Sequence, residues 1–131
     1  MNKIKDEYNI DNKQLRTDSP LDKWFIEMID KSEEELSIKD LSHMLRQGIL
    51  LELAVKKSWI ELKNDPLIGE MYDGELLKLL IRVLKENKQY QKIEDYNEFI
   101  MVVKNGDYAF ENSYEENEYE KLLEQLADMF N

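Results

Sequence analysis

The most constraining feature of this sequence is the spacing of its apolar residues, which recur three and four positions apart along most of the chain. Leu21, Trp24, Phe25, Met28 and Ile29 follow this spacing without interruption. Residues spaced in this way lie on one face of an α-helix, because the helix turns once in about 3.6 residues. The chain has only 4 glycines and 2 prolines, which disfavours a turn-rich β fold. The pattern therefore predicts an all-α protein.

The apolar periodicity occurs in successive segments, and we expect about six helices that pack as a single compact domain. The segments run from the first to the last periodic apolar residue over 21–29, 38–45, 49–62, 76–84, 93–103 and 119–130. The apolar stripes are wider than a coiled-coil seam, which favours a bundle over a rod. Leu62, Leu77 and Leu80 are predicted core residues.

Several polar residues are placed to begin or end these helices. Ser19 or Asp18 can cap the first periodic segment, and Ser37 with Asp40 approximates a capping box for the second. Gly48 can close that second helix. Asp73 is placed to cap the helix that contains Leu76–Leu84, with Glu75 beside its positive end.

The remaining segments are less regular. Residues 1–17 show weak periodicity, so we expect a loosely ordered N-terminal segment followed by a helical domain over 18–131. Residues 99–103 are also β-prone, and a short hairpin around Asn105-Gly106 is an alternative to a helix there. Residues 107–116 are predicted to form a loop.

The composition excludes several classes of protein. The chain has no cysteine, so disulfides, thiolate metal sites and cysteine nucleophiles are excluded, and a reducing cytoplasm suits it. Its formal net charge is −11, which makes it a poor ligand for nucleic acid or an anionic membrane. No apolar run approaches a signal peptide or a membrane span. We also expect no cofactor and no small-molecule substrate.

The C-terminal part is the most acidic, and its carboxylates alternate with aromatic residues. Residues 105–131 hold one basic and eight acidic side chains, a net charge of −7. Aromatic anchors on an acidic surface suit a basic protein partner. Alternatively, the charges are only a solvated face and Phe110 and Tyr119 belong to the core. The candidate partner-binding residues on this segment are Tyr108, Glu111, Tyr114, Glu115, Glu116, Glu118 and Tyr119.

A second group of carboxylates, Glu70, Asp73 and Glu75, clusters around a predicted turn. Paired carboxylates can serve acid–base catalysis or bind a hard cation. Helix capping and dipole compensation explain Asp73 and Glu75 more simply, so we predict no metal or catalytic role for the three. His43, the only histidine, is expected to be exposed. The chain shows no phosphate-binding glycine loop, nucleophile elbow or His-Glu-x-x-His motif, so we do not expect an enzyme.

The block from residue 37 to residue 84 contains an ordered set of residues, Asp40-Leu41, Gln47, Leu51-Glu52, Leu62, Pro66-Leu67, Tyr72, Gly74 and Leu76-Leu77. In order and approximate spacing, this set resembles the helical immunity proteins of contact-dependent growth inhibition (CDI) systems. The resemblance implies a bacterial, cytoplasmic protein that binds and blocks the C-terminal domain of a cognate toxin delivered by neighbouring cells. It also implies that Glu70, Met71 and Tyr72 belong to a second candidate surface, with Asp73 and Glu75.

Three functions from different classes remain open at this point. The first is an immunity protein that neutralises a basic toxin, with nucleases among the candidates. The second is an acidic helical adaptor or regulatory domain with a non-toxin partner. The third is a metal-dependent hydrolase built on the cluster around Glu70. A toxin gene immediately upstream would favour the first, and metal titration would test the third.

Overall fold

The structure, a computed structural model, describes residues 2–11, 16–91, 96–105, 110 and 112–130. All regular elements in these ranges are helices, and none is a strand, which confirms the prediction of an all-α protein. Residues 99–103 lie inside a helix that extends to Asn105, so the hairpin alternative is wrong for them.

The described part of the chain contains seven α-helices, where about six were expected. They are α1 (Ile4–Glu7), α2 (Pro20–Ile29), α3 (Ile38–Gln47), α4 (Leu51–Asn64), α5 (Glu75–Glu86), α6 (Tyr96–Asn105) and α7 (Ser113–Phe130). Short 3₁₀ helices, Glu33–Glu35 and Lys88–Tyr90, follow α2 and α5. The division into a loose segment over 1–17 and a domain over 18–131 stays a prediction, and residues 12–15 lie outside the described ranges.

Contacts group the chain into two compact units, residues 1–40 and 41–131. In the first unit, α1 packs against α2. Ile4 of α1 is fully buried, and its backbone N–H donates a hydrogen bond to the carbonyl of Lys31 at 2.8 Å. Met28 and Ile29 of α2 are fully buried as well. Only the C-terminal end of the apolar face that the sequence predicted for α2 is therefore fully buried, since Trp24 and Phe25 are partly buried and Leu21 is exposed.

Capping boxes begin both α2 and α3. The sequence predicted the box at Ser37 and Asp40, and at α2 it predicted Ser19 or Asp18 as a cap without the reciprocal bond to Asp22. Ser19 Oγ accepts from the backbone N–H of Asp22 at 3.1 Å, and Asp22 Oδ2 accepts from the N–H of Ser19 at 3.3 Å. Ser37 and Asp40 exchange the same two bonds at 3.1 and 3.0 Å. Each box satisfies backbone donors that the first turn of a helix leaves without a partner.

Asp40 does more than cap α3. Its side chain also accepts hydrogen bonds from Trp24 Nε1 at 2.8 Å and from the Lys31 ammonium at 2.7 Å, and the residue is only 3% exposed. Burial acts to raise the pKa of Asp40, but the hydrogen bonds from Lys31, Ser37 and Trp24 outweigh it and hold that pKa below its ordinary value. The ionised carboxylate therefore stabilises the first unit.

In the second unit, α5 packs against both α4 and α7, and α4 also packs against α6. Leu62, Leu77 and Leu80 are fully buried, which confirms them as core residues. The ring of Trp59 lies 4.9 Å from that of fully buried Phe99, at an interplanar angle of 47°. This tilted arrangement is one that aromatic pairs favour, and it joins α4 to α6.

Gly48 ends α3 where the sequence predicted, and α4 ends just before a proline. Gly48 has a φ of +68°, a left-handed conformation that glycine adopts at little cost. The N–H of Ile49 donates to the carbonyl of Met44 at 3.0 Å, which is the long bond of a Schellman motif. Helix α4 ends at Asn64, before Asp65-Pro66. The turn that follows Pro66 carries one of the two candidate surfaces.

Candidate protein-docking surface

The connection between α4 and α5, residues 65–74, is closed by hydrogen bonds of its own backbone. The N–H of Gly74 donates to the carbonyl of Leu67 at 2.7 Å, and the N–H of Leu76 donates to that of Ile68 at 3.2 Å. The N–H of Glu75 donates to the carbonyl of Tyr72 at 3.3 Å. Because these bonds fix both ends of the connection, it is a defined turn at the start of α5.

The carboxylate of Glu75 holds this turn from the inside. Glu75 is 3% exposed, and its Oε1 accepts hydrogen bonds from the backbone N–H groups of Glu70 at 2.9 Å and Met71 at 3.1 Å. Its Oε2 accepts from the Arg46 guanidinium at 2.8 Å. A buried carboxylate is tolerated only when it is paired and hydrogen-bonded in this way. Glu75 therefore links the turn to α3.

Two glycines allow the chain to turn so tightly. A Cβ at Gly69 would collide with the carbonyl oxygen of Tyr72 and lie 2.8 Å from Cβ of Glu75. Gly74 has a φ of +86° and occupies the N-cap of α5, where it makes no side-chain cap. The expectation that Asp73 caps α5 is therefore wrong, because Gly74 takes that position. The acidic residue at this helix end is Glu75, the first residue of α5, and its side chain is buried.

The same turn directs two large side chains into solvent. Met71 is 74% exposed and Tyr72 is 51% exposed. The N–H of Met71 donates to the buried Glu75 carboxylate, and the carbonyl of Tyr72 accepts from the N–H of Glu75. Exposed apolar side chains on a fixed backbone are typical of binding surfaces.

The second candidate surface lies on the first turns of α7. Asn112 begins this helix, because its Oδ1 accepts from the N–H of Glu115 at 2.9 Å. The prediction of a loop through residue 116 is therefore wrong for 113–116. Tyr114 is 71% exposed, Glu115 and Glu116 are exposed, and Glu118 is partly buried. Tyr108 and Glu111, also proposed from the sequence, lie outside the described residues.

Tyr119 connects α7 to the turn. It is 6% exposed, and its hydroxyl donates to the carbonyl of Pro66 at 3.0 Å. Its ring lies 5.6 Å from that of Phe110, and a Cβ at Gly74 would approach Tyr119 Cδ2 to 3.3 Å. Tyr119 is thus a core residue, as the alternative interpretation of the sequence predicted. It packs beneath the turn between α4 and α5.

A cavity of about 300 Å³ lies where the two candidate surfaces meet. The turn, α5 and the start of α7 all contribute to its wall. The lining residues are Tyr72, Asp73, Gly74, Lys78, Asn112, Tyr114, Glu115, Glu118, Tyr119 and Leu122. The structure therefore brings together two groups of residues that are about 40 positions apart in the sequence, and it forms one surface from them.

Comparison with known protein families identifies the family to which this chain belongs. A family model described as CDI immunity proteins matches residues 6–98, well over half of the 131-residue chain. The chain belongs to the CDI immunity protein family. No curated protein matches it. Membership implies that this immunity protein binds a cognate toxin protein, and immunity proteins are generally not enzymes.

The family match covers the turn between α4 and α5 but stops before α7. The surface of this immunity protein therefore combines a part inside the matched segment with a part outside it. The turn, which carries Met71 and Tyr72, lies inside the matched segment. Tyr114, Glu115 and Glu118 lie outside it.

A second cavity of about 530 Å³ adjoins the first on α5 and α7 of the immunity protein. Lys78, Arg82 and Lys85 line it at successive turns of α5. Most cations around it have internal partners: Arg82 donates to the α3 carbonyl of Leu45 at 3.3 Å, and the Lys85 ammonium donates to Gln125 Oε1 at 2.6 Å. Sequence reasoning missed this basic strip, although the spacing of its residues along α5 was visible.

Three further observations concern the described residues of the immunity protein. They contain no group of three or more His, Cys, Asp or Glu side chains that could hold a metal ion. None of the described helices is both long enough and apolar enough to span a membrane. His43, which was expected to be exposed, is partly buried on α3.

Proposed function

We propose that this immunity protein binds and neutralises the C-terminal domain of a cognate toxin in the cytoplasm, and that it does so through the surface around the 300 Å³ cavity. Family membership is the observation that supports the function. The meeting of exposed aromatic side chains with carboxylates supports the location. Inhibition then depends on occupancy of the toxin surface and needs no chemistry by the immunity protein.

The charge of the chain indicates the character of the toxin. The net charge is −11 overall, and α7 presents Glu115 and Glu116 to solvent beside the cavity. Such a surface attracts a basic protein and accelerates its diffusional encounter. A nuclease is one class of basic toxin, because it must hold the phosphates of its substrate. The acidic surface would then compete with the nucleic acid for the same basic site.

Protection of a cell requires that the complex dissociate slowly, so we expect a nanomolar or lower Kd, about −12 kcal/mol or more negative. An interface of ordinary size buries about 800 Å² on each partner. The cavity and the turn make up only part of an interface of that area, and they form its centre. The surrounding carboxylates form the rim, where charges affect association rate more than dissociation rate.

The experiment is co-purification with the C-terminal domain of the toxin encoded immediately upstream, together with a growth-protection assay. Charge reversal of Glu115, Glu116 and Glu118 to lysine is expected to slow association and weaken protection. The matched control reverses Glu86, Glu124 and Asp128, which are exposed and line neither cavity. The control changes the net charge by the same amount.

If the variant of Glu115, Glu116 and Glu118 associates as fast as the control variant at low salt, the first turns of α7 do not belong to the interface. If the wild-type chain neither binds nor protects against that toxin, the immunity function itself is wrong for this pair. Stable capture of a non-toxin protein in its place would favour the adaptor hypothesis.

A further inference from the structure

We infer that the turn Gly69–Gly74 is a preformed anchor: Met71 and Tyr72 enter an apolar recess on the toxin, and Glu75 and Arg46 act as positioning residues that keep the turn in its binding shape. The inference rests on the proposed function and specifies how the surface makes its strongest contact. The recess on the toxin is apolar at its base and rimmed by basic side chains.

The exposure of the side chains gives the first argument. Met71 at 74% and Tyr114 at 71% are the two most exposed large apolar or aromatic residues of the described chain, and Tyr72 is 51% exposed. Tyr72 and Tyr114 line the same cavity, and Met71 is the chain neighbour of Tyr72. Methionine and aromatic residues are enriched at the centres of protein interfaces. These residues are concentrated at one place on the surface.

The rigidity of the turn gives the second argument. Both oxygens of Glu75 are used: one accepts the N–H groups of Glu70 and Met71, and the other accepts the Arg46 guanidinium. A residue other than glycine does not fit at position 69. A surface that is already ordered before binding loses less conformational freedom in the complex, and its affinity rises accordingly. The buried carboxylate therefore contributes to binding without touching the toxin.

The surrounding charge identifies the occupant. Asp73, Glu115 and Glu118 stand around the cavity beside Tyr72, against one basic lining residue, Lys78, so the matching rim is basic. A second copy of this chain carries the basic strip on α5, but Arg82 and Lys85 of that strip have internal partners. Two copies that each carry a net charge of −11 also repel one another. Family membership supplies a toxin as a partner, and a basic toxin satisfies both requirements. The toxin is therefore the occupant to which the inference commits.

A double-mutant cycle tests the anchor and its positioning residue together. The probe is the C-terminal domain of the upstream-encoded toxin, inactivated by a substitution in its own active site. Met71→Ala is expected to speed dissociation by about tenfold or more, as for a residue at the centre of an interface. Tyr72→Ala is expected to act in the same direction. Both residues are exposed, so the fold is expected to survive either substitution.

Glu75→Gln tests the positioning role. A glutamine has one acceptor oxygen, so it cannot serve the two backbone N–H groups and Arg46 at the same time, and its amide then faces other donors. Dissociation is expected to be about tenfold faster. The variant that combines Glu75→Gln with Met71→Ala is expected to dissociate much less than about 100-fold faster than the wild type, where 100-fold is the product of the two single effects. The effects do not multiply because both substitutions remove the same contact. Independent, multiplying effects would overturn the positioning role.

Hydrogen exchange of the free protein supplies a readout that does not involve the toxin. In the Glu75→Gln variant, the amides of Glu70 and Met71 are expected to exchange faster than in the wild type. Unchanged exchange would contradict the inference. Arg46→Lys replaces Glu75→Gln if the latter does not fold, since it keeps the charge but loses the forked guanidinium. Asp40→Asn, which lowers stability through the first unit, is the control for an effect of stability alone.

The outcomes separate this inference from the function on which it rests. If the wild type binds and protects while Met71→Ala and Tyr72→Ala dissociate at the wild-type rate, the anchor is wrong and the immunity function stands. If the wild type does not bind the toxin, the proposed function fails first.

Discussion

Replacement of Asp40 by asparagine is expected to destabilise the protein markedly. The substitution removes a charge that accepts hydrogen bonds from Trp24 and Lys31 and closes the capping box with Ser37. Weakening the reciprocal bond of the capping box costs about 1 kcal/mol at most, since Ser37 remains the N-cap residue. Hydrogen bonds to a charged group contribute about 1.5–3 kcal/mol, but Lys31 is 36% exposed, which places the charge contribution at the low end. The sum is roughly 2–3 kcal/mol.

The assay is chemical unfolding at neutral pH, with Asp22→Asn as the matched control. Asp22 makes the same capping box with Ser19 on α2. Its loss is therefore expected to cost about 1 kcal/mol at most, since asparagine keeps one acceptor oxygen. A ΔΔG for Asp40→Asn no larger than that for Asp22→Asn would refute the claim that the bonds to Trp24 and Lys31 stabilise the fold.

The low pKa of Asp40 also predicts how this difference depends on pH. An unfolded aspartate titrates near about 3.9, and the folded pKa lies below its ordinary value because the hydrogen bonds outweigh burial. The stabilisation is therefore fully present above the unfolded pKa and is lost as the pH falls through the folded pKa. The stability difference between the wild type and Asp40→Asn should be constant from pH 7 to about 5 and should shrink below about 4. A difference that grows on acidification would contradict the assignment.

Three further predictions concern the second unit. Tyr119→Phe removes the hydrogen bond to Pro66 but keeps the ring, so thermal unfolding should show a loss of about 1–2 kcal/mol; an unchanged Tm would mean that the bond is not formed. Leu80→Ala in the core should cost about 2–5 kcal/mol in denaturant unfolding, and wild-type stability would show that α5 is misplaced. Gly69→Ala should lower the free energy of unfolding by about 1–3 kcal/mol, because the new Cβ collides with the carbonyl of Tyr72, and it should also weaken toxin binding. Wild-type stability together with wild-type affinity would show that the turn is not tight.

Much of the helical framework was predictable because its signals are local. The capping boxes at Ser19 and Ser37 and the stop at Pro66 each act within four residues. The start of α7 was also encoded locally, by Asn112 followed three residues later by Glu115, but the charged segment that follows was interpreted as a loop. Helix propensity and the Asn112 cap determine where α7 begins. Its first turn lacks the apolar periodicity from which the helices were predicted, so the prediction missed this start.

The candidate site was only partly predictable because tertiary contacts create it. The position of Glu75 at a helix start suggested only compensation of the helix dipole, and the approach of Arg46, 29 residues earlier, shows that its buried carboxylate links two elements. The bond between Tyr119 and Pro66 spans 53 residues, and it brings α7 beside the turn. No pattern within a few residues predicts the contact between Arg46 and Glu75 or the contact between Tyr119 and Pro66. The sequence therefore suggested two separate surfaces where the structure forms one.

The most direct test of the central claim is hydrogen exchange of the immunity protein with and without its toxin domain. The claim predicts that binding slows exchange over residues 69–74 and 112–118, and that the C-terminal turn of α5 is unaffected. Protection confined to other segments, with residues 69–74 and 112–118 exchanging as in the free protein, would contradict the proposed surface.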